Sequence, residues 1–158
     1  ADGRTALGEV YVRMFNNPGV ALKLGALGEH LRFHGTLPDA VRELVILRCS
    51  MRLGFGYEWA HHQRPAMLAG VDEETVAEVT AGEVPATLPA ATQAVLEAVD
   101  AVVRHASIPP DTQATIAAAH GLAGVVEVVA LCGLYATMGY MVAAFEIPLE
   151  EGFPRPPF

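Results

Sequence analysis

From Val128 to Phe145 eighteen consecutive residues carry no charge. About 18 such residues is the lower limit for crossing a membrane, so the stretch is either a span or a helix enclosed by other protein. Gly133, Thr137, Gly139 and two tyrosines interrupt it, and acidic Glu127 and Glu146 flank it. No Lys or Arg cluster sets an orientation across a bilayer. The expectation is a central core or interface helix, with no membrane partner, around which the rest of the chain must be arranged.

The remainder supports helices as the surroundings. No segment alternates apolar and polar residues as a half-buried strand does, so the fold is expected to be all-α. The length of 158 residues suits one domain, taken here as residues 1–150, followed by a Pro-rich tail at 151–158. A hydrophobic fraction of 52% is high for a soluble monomer. It points to helices buried on more than one side, or to a subunit that hides surface in an oligomer. The net charge of -8 argues against a nucleic-acid partner. Cys49 and Cys132 both lie in apolar runs and read as reduced core thiols. The N-terminal residues show no charged-then-apolar leader pattern, giving a cytoplasmic expectation.

Capping residues divide the chain into eight helical segments. A short helix spans Thr5 to Phe15. Asn17 caps and Pro18 opens a second that runs to about Phe33. Pro38 opens a third, ended by Gly54, and Gly56 to Gly70 forms a fourth. Asp72-Glu73-Glu74 starts a fifth that ends near Gly82, and Pro89 to Ala106 is the sixth. Asp111 caps a seventh that ends at His120-Gly121, and the eighth runs from about Ala123 to Phe145. The tail is expected to be extended or disordered.

Chemistry concentrates between Leu37 and Gly70. Glu43 shares an apolar stripe with Ala40, Ile46, Leu47 and Ser50, whereas Asp39, Arg42, Arg48 and Arg52 are expected to point outward. A carboxylate on such a stripe is either one half of a structural ion pair or a tuned acid/base, and spacing alone leaves both open. Glu58 precedes His61 by three residues and His62 by four, so its carboxylate is expected to approach both rings. Pro65 removes a backbone donor just beyond them and is expected to bend the helix. Glu58-x-x-His61 also matches half of a di-iron motif, but the second copy is missing. A mononuclear site on Glu58 and His61 or His62 stays open and unspecific. No His-Glu-x-x-His, phosphate loop or Gly-x-Ser-x-Gly elbow occurs.

These residues resemble the carboxymuconolactone decarboxylase-like proteins, a family that includes the alkylhydroperoxidase D group. The likeness rests on Leu37-Pro38 followed by Arg42-Glu43-Leu44, on Tyr57-Glu58-Trp59, His62 and Ala69-Gly70, and on the acidic start at Asp72-Glu73-Glu74. Asn17-Pro18 and the apolar final helix extend it over most of the chain. The resemblance implies a single-domain helical bundle of the alkylhydroperoxidase D type. In the peroxidase branch a glutamate and a histidine bracket a Cys-x-x-Cys. Here Glu43 and His62 take the outer places, while the two cysteine places fall on Phe55 and Glu58. Without a thiol pair no peroxide-reducing disulfide cycle can run.

The decarboxylase branch places a glutamate four residues before the histidine, as Glu58 and His62 stand here. Its members act on a small carboxylated lactone by proton transfer, without metal or organic cofactor, so the resemblance implies none here. Glu43, Glu58 and His62 are therefore the expected catalytic residues. A desolvated Glu43 is expected to have a raised pKa and to exchange the proton, with Glu58 orienting His62. Tyr57, Trp59, His61, Phe55 and Tyr135 are expected to contact a small-molecule substrate. The resulting expectation is a decarboxylase-like lyase or an isomerase or cyclase, not a peroxidase. The alternatives are a non-catalytic binding or assembly subunit and a metal-bound enzyme using Glu58 with His61 or His62. The resembling family also implies a homotrimer or hexamer.

Overall fold

A single helix, buried along ten consecutive residues from Val41 to Ser50, organises the molecule. The structure is a computed structural model that describes residues 8–158. Its elements are α1 (Glu9–Met14), α2 (Pro18–Phe33), α3 (Asp39–Leu53), α4 (Gly56–Leu68), α5 (Glu73–Thr80), α6 (Ala90–Val103) and α7 (Pro110–Ala144). No strand occurs among the described residues, so the fold is all-α. The expected start of the first helix, Thr5 to Leu7, lies outside the described residues.

The central helix is α3, which packs against α4, α5, α6 and α7. Enclosed all round from Val41 to Ser50, it has no solvent face there on which to place charges. Two of the four charged side chains expected to point outward are therefore corrected: Arg42 and Arg48 are buried. Arg52 is exposed as expected, with its guanidinium on Asp100, and Asp39 stays in solvent. Gly54 ends the helix as a left-handed cap at φ 71°.

The uncharged stretch is the second half of α7. By length and composition this helix could cross a membrane. Here one of its faces packs on α3 and α6 through Val128, Leu131, Cys132 and Tyr135. Its chain direction breaks at Gly121 (φ 70°, ψ 171°), where the sequence separates a seventh from an eighth helix. That backbone is open to glycine and strained for other residues. The cap is Pro109 rather than Asp111. At Gly139 the ring of Phe55 occupies the space a Cβ would need, which lets the start of α4 seat directly on α7. Both cysteines are free and buried.

Two long-range contacts fix where α3 begins. Glu127 of α7 accepts hydrogen bonds from the backbone N–H groups of Thr36 (2.8 and 2.9 Å) and Leu37 (3.1 Å). A buried carboxylate satisfied by backbone donors pins the turn ahead of α3 without a counter-cation. The guanidinium of Arg42 donates to the backbone carbonyl of Arg32 at the end of α2 (2.8 Å). Helices α1 and α2 thereby stand as an outer wall facing α4 and α7, leaving a cavity between.

The tail takes the extended form of the two expected, and it is packed. Leu149 and Phe153 rest on the apolar cluster of Leu44, Leu47, Trp59 and Val76. Phe158 meets the Trp59 ring edge-on at 6.1 Å between centroids.

Candidate active site

The tight connection through Gly54 and Phe55 turns α4 back alongside α3, which brings Glu43 and His62 together across the helix pair. His62 Nδ1 lies 2.7 Å from Glu43 Oε2, and both side chains are nearly or fully buried. Glu43 Oε1 accepts from Arg42 Nη2 (3.0 Å), while Arg42 Nη1 donates to Asp39 (2.7 Å). Burial alone would raise the Glu43 carboxyl. The hydrogen bonds and charges of His62 and Arg42 outweigh it and hold the group below the usual carboxylate value. This corrects the expectation of a raised pKa at Glu43. An ionised carboxylate can only accept, so His62 Nδ1 carries the hydrogen and donates it, leaving Nε2 for chemistry.

Glu58 has the opposite character. It is 4% exposed, its Oε1 has no hydrogen-bond partner, and burial pushes its pKa up to about 7. Neither His61 nor His62 pairs with it: His62 is held by Glu43 and His61 by Glu150. The expected contact of Glu58 with the two histidines is thus corrected. Residues one turn apart on a helix can meet, but partners on neighbouring elements compete for the rings and here prevail. The roles expected for the two glutamates are exchanged. Glu43 is the anchored anion, and Glu58 is the carboxyl that holds a proton near neutral pH.

Both His62 and Glu58 line a cavity of about 360 Å³. Tyr57, His61, Pro65 and Tyr135 line it with them, and α1 and α2 supply the opposite wall through Tyr11, Met14, Gly25, Gly28 and Arg32. The Tyr135 ring meets His62 edge-on at 4.8 Å. Burial, and then the charge of Glu43, raises the Tyr135 hydroxyl, so it stays a neutral donor. The opening is rimmed by Arg32 and Glu29, one turn apart on α2.

Two expected contact residues face elsewhere. Trp59 is turned into the core, where its Nε1 donates to Thr80 Oγ1 (2.9 Å), and it borders a separate groove with Val76, Ala77 and Pro157. Phe55 packs on Tyr140 and against Gly139. Trp59, next to Glu58 in sequence, points to another side of α4, and Phe55 precedes the helix as its N-cap. Cys49 and Cys132 are also away from the cavity lining. Among the described residues, no group of three or more His, Cys, Asp or Glu side chains gathers to hold a metal ion.

Sequence reasoning missed Arg32, Tyr11 and Glu150. Arg32 and Tyr11 lie on helices whose approach to α4 depends on α7, and Glu150 reaches His61 across 89 residues of chain. No local spacing encodes such a meeting. Arg42 did carry a signal, its place beside Glu43 in the resembling motif.

The comparisons with known proteins agree with this architecture. A family model described as the carboxymuconolactone decarboxylase family matches residues 18–101, just over half of the chain. The chain belongs to that family. Among solved structures it is similar to the debrominase Bmp8, both as a Cys-to-Ala variant in complex with 2,3,4-tribromopyrrole and in the apo form. Both matches have a TM-score of 0.77 and 18% identity, covering 92% of this chain and 79% and 78% of the other. It is also similar to ATU0492 from Agrobacterium tumefaciens, described as a protein of unknown function and putative antioxidant defence protein AhpD. That match has a TM-score of 0.75 and 19% identity, covering 87% of this chain and 95% of the other. These likenesses carry the alkylhydroperoxidase D-like fold. A search of curated protein sequences gives no match.

Proposed function

We propose that this chain is a cofactor-independent acid/base enzyme, a lyase or isomerase acting on a small carboxylated or carbonyl-bearing molecule. One observation carries the reading. The cavity is lined both by a histidine whose Nδ1 is anchored to a buried, ionised Glu43 and by a carboxyl, Glu58, poised near pH 7 with an unpartnered oxygen. The pair supplies a base and an acid in one cavity, the arrangement general acid–base catalysis requires.

In the isomerising form, His62 Nε2 removes a proton from carbon next to the carbonyl, and Glu58 delivers its own proton at the new position. Proton exchange between His62 and Glu58 through water then restores both groups. In the decarboxylating form, the C–C bond to the carboxylate breaks, its electron pair passes into the dienolate, and Glu58 protonates the carbon as CO2 leaves. The neutral Tyr135 hydroxyl is the donor for the developing enolate oxygen. Arg32 at the rim suits a substrate carboxylate. The neighbouring debrominase bound to a small ring supports a small-molecule occupant for such a fold. No cysteine lines the cavity, in keeping with a reaction that needs no thiol. The exposed apolar side chains along α7, Leu122, Val126 and Tyr140 among them, support self-association, which light scattering checks.

The test is to incubate the protein in deuterium oxide with enol-lactone carboxylates and β,γ-unsaturated carbonyl compounds, following deuterium uptake and CO2 release by mass spectrometry. The expected result is turnover that depends on Glu58 and His62. If no such compound exchanges or reacts, the cavity is a binding site without acid/base chemistry; if Glu58→Gln with His62→Asn turns over unchanged, Glu58 and His62 are not its acid and base.

A further inference from the structure

His61 and His62 are neighbours in sequence, so on a helix their side chains diverge by about 100°. His62 turns toward α3 and Glu43. His61 turns toward the C-terminal strap, residues 146–158, which runs back across α4. There Glu150 divides its carboxylate between two residues of the cavity wall. Oε1 accepts from the Tyr57 hydroxyl (3.0 Å), and Oε2 lies 2.8 Å from His61 Nε2. The His61 ring is stacked on both faces, 4.3 Å from the Tyr57 ring and 4.0 Å from Phe153. Burial would raise the Glu150 carboxyl, but its own backbone N–H, His61 and Tyr57 together hold it below the usual carboxylate value. Glu150 is thus an anion between two donors, neither of which could swing into the cavity without breaking a bond to it. Tyr57 and His61 line the cavity; Glu150 and Phe153 stand behind them.

We propose that Glu150 is a positioning residue of this cavity, fixing the His61 ring and the Tyr57 hydroxyl from behind so that the C-terminal strap forms the outer half of the site wall. The proposal rests on the reading that this cavity is the active site. It gives the pocket two histidines, each backed by a carboxylate from a different element and through a different ring nitrogen. His61 is held at Nε2 and His62 at Nδ1. The strap is held to α4 beyond Glu150 as well, by Pro156 against Gly56 and Phe158 against Trp59. Loss of the Glu150 carboxylate therefore removes these two bonds without undocking the strap.

The full chain, labelled with 15N in its histidine rings and with 3-fluorotyrosine, tests this at fixed pH and without substrate. In Glu150→Ala the ring signals of His61 and the fluorine signal of Tyr57 are expected to move, with loss of any slowly exchanging His61 ring N–H. The ring signals of His62 and the fluorine signal of Tyr135 are expected to stay in place. Acrylamide quenching of Trp59, the one tryptophan of the chain, reports strap docking and is expected to stay at the wild-type level. Glu150→Asp is expected to restore the His61 signals in part. If His61 and Tyr57 do not move, or if His62 moves as far as His61, Glu150 does not position this wall. Because the signals are read without turnover, they fail or hold independently of the proposed reaction.

Discussion

The two ends of α3 each bury an acid beside arginine, and they differ in what is left unsatisfied. Toward its C-terminal end, Arg48 donates to both oxygens of Asp100 (2.8 and 2.7 Å) and to the carbonyls of Val79 and Glu83. Arg52 adds two further bonds to the same carboxylate. Burial would raise Asp100, but the two arginines carry its pKa down to about 2. Donors and acceptors close on one another, and none of Arg48, Arg52 and Asp100 lines the cavity beside Glu58. Toward the N-terminal end, Glu43 is more deeply buried and is likewise held below the usual carboxylate value, but its partner His62 keeps a second nitrogen, and nearby Glu58 has an oxygen with no partner. Buried charge alone therefore does not mark a site in this molecule. An incompletely satisfied buried group beside a cavity does.

The sharpest way to break this contrast is to exchange the expected consequences of mutation. Glu58→Gln and His62→Asn should each lower the proposed turnover by about 10²–10⁴-fold, the usual contribution of a positioned acid or base. Asp100→Asn should leave the rate per folded molecule near wild type. Active-site-normalised rates from the deuterium assay decide between them. Removing the carboxylate altogether, in Asp100→Ala, leaves the buried Arg48 without a counter-charge and should cost about 3–5 kcal/mol in urea denaturation.

The pH dependence of stability separates the two regions next. Burial raises Glu58 from 4.5 to about 7, so the folded state binds its proton more tightly than the unfolded state. Stability should then fall as pH rises from about 4.5 to about 7 and level off above. Glu58→Gln should remove that fall, a gain of up to about 3 kcal/mol at pH 8 relative to pH 5 in paired denaturation curves. Asp100 has the reverse sign. Its folded pKa is depressed, so its stabilisation is present above the usual carboxylate value and is lost as pH falls toward about 2. Acid titration of wild type against Asp100→Asn should show the difference only at the acid end. The smallest effect expected is that of Gly139→Ala, where the added methyl meets the Phe55 ring. A loss of about 1–3 kcal/mol, read from denaturant midpoints, would match overpacking at that contact.

The limits of local reading are visible in the same residues. Glu43, Glu58 and His62 stand out in the sequence because charge on an apolar helical stripe is costly, and that argument needs no coordinates. It does not say which carboxylate is ionised. Glu58 sits at the favourable spacing from both histidines yet pairs with neither, since Glu43 and Glu150 approach the rings from outside the helix. Arg48 shows the same limit from the other side. Nothing near it in sequence reveals that Asp100, 52 residues on, takes up its charge.

What the sequence determined by itself is therefore the helices, their stops at Asn17-Pro18, Gly54 and Gly121, the family motif, and the short list of residues able to do chemistry. Periodicity and capping are local interactions, and they survive whatever the helices later pack against. The tertiary structure alone decided the charge state of each glutamate, the choice of partner for each histidine, the removal of Trp59 and Phe55 from the cavity, and the entry of Arg32 and Glu150. Those depend on desolvation and on contacts between residues far apart in the chain, which exist only once α3 is enclosed.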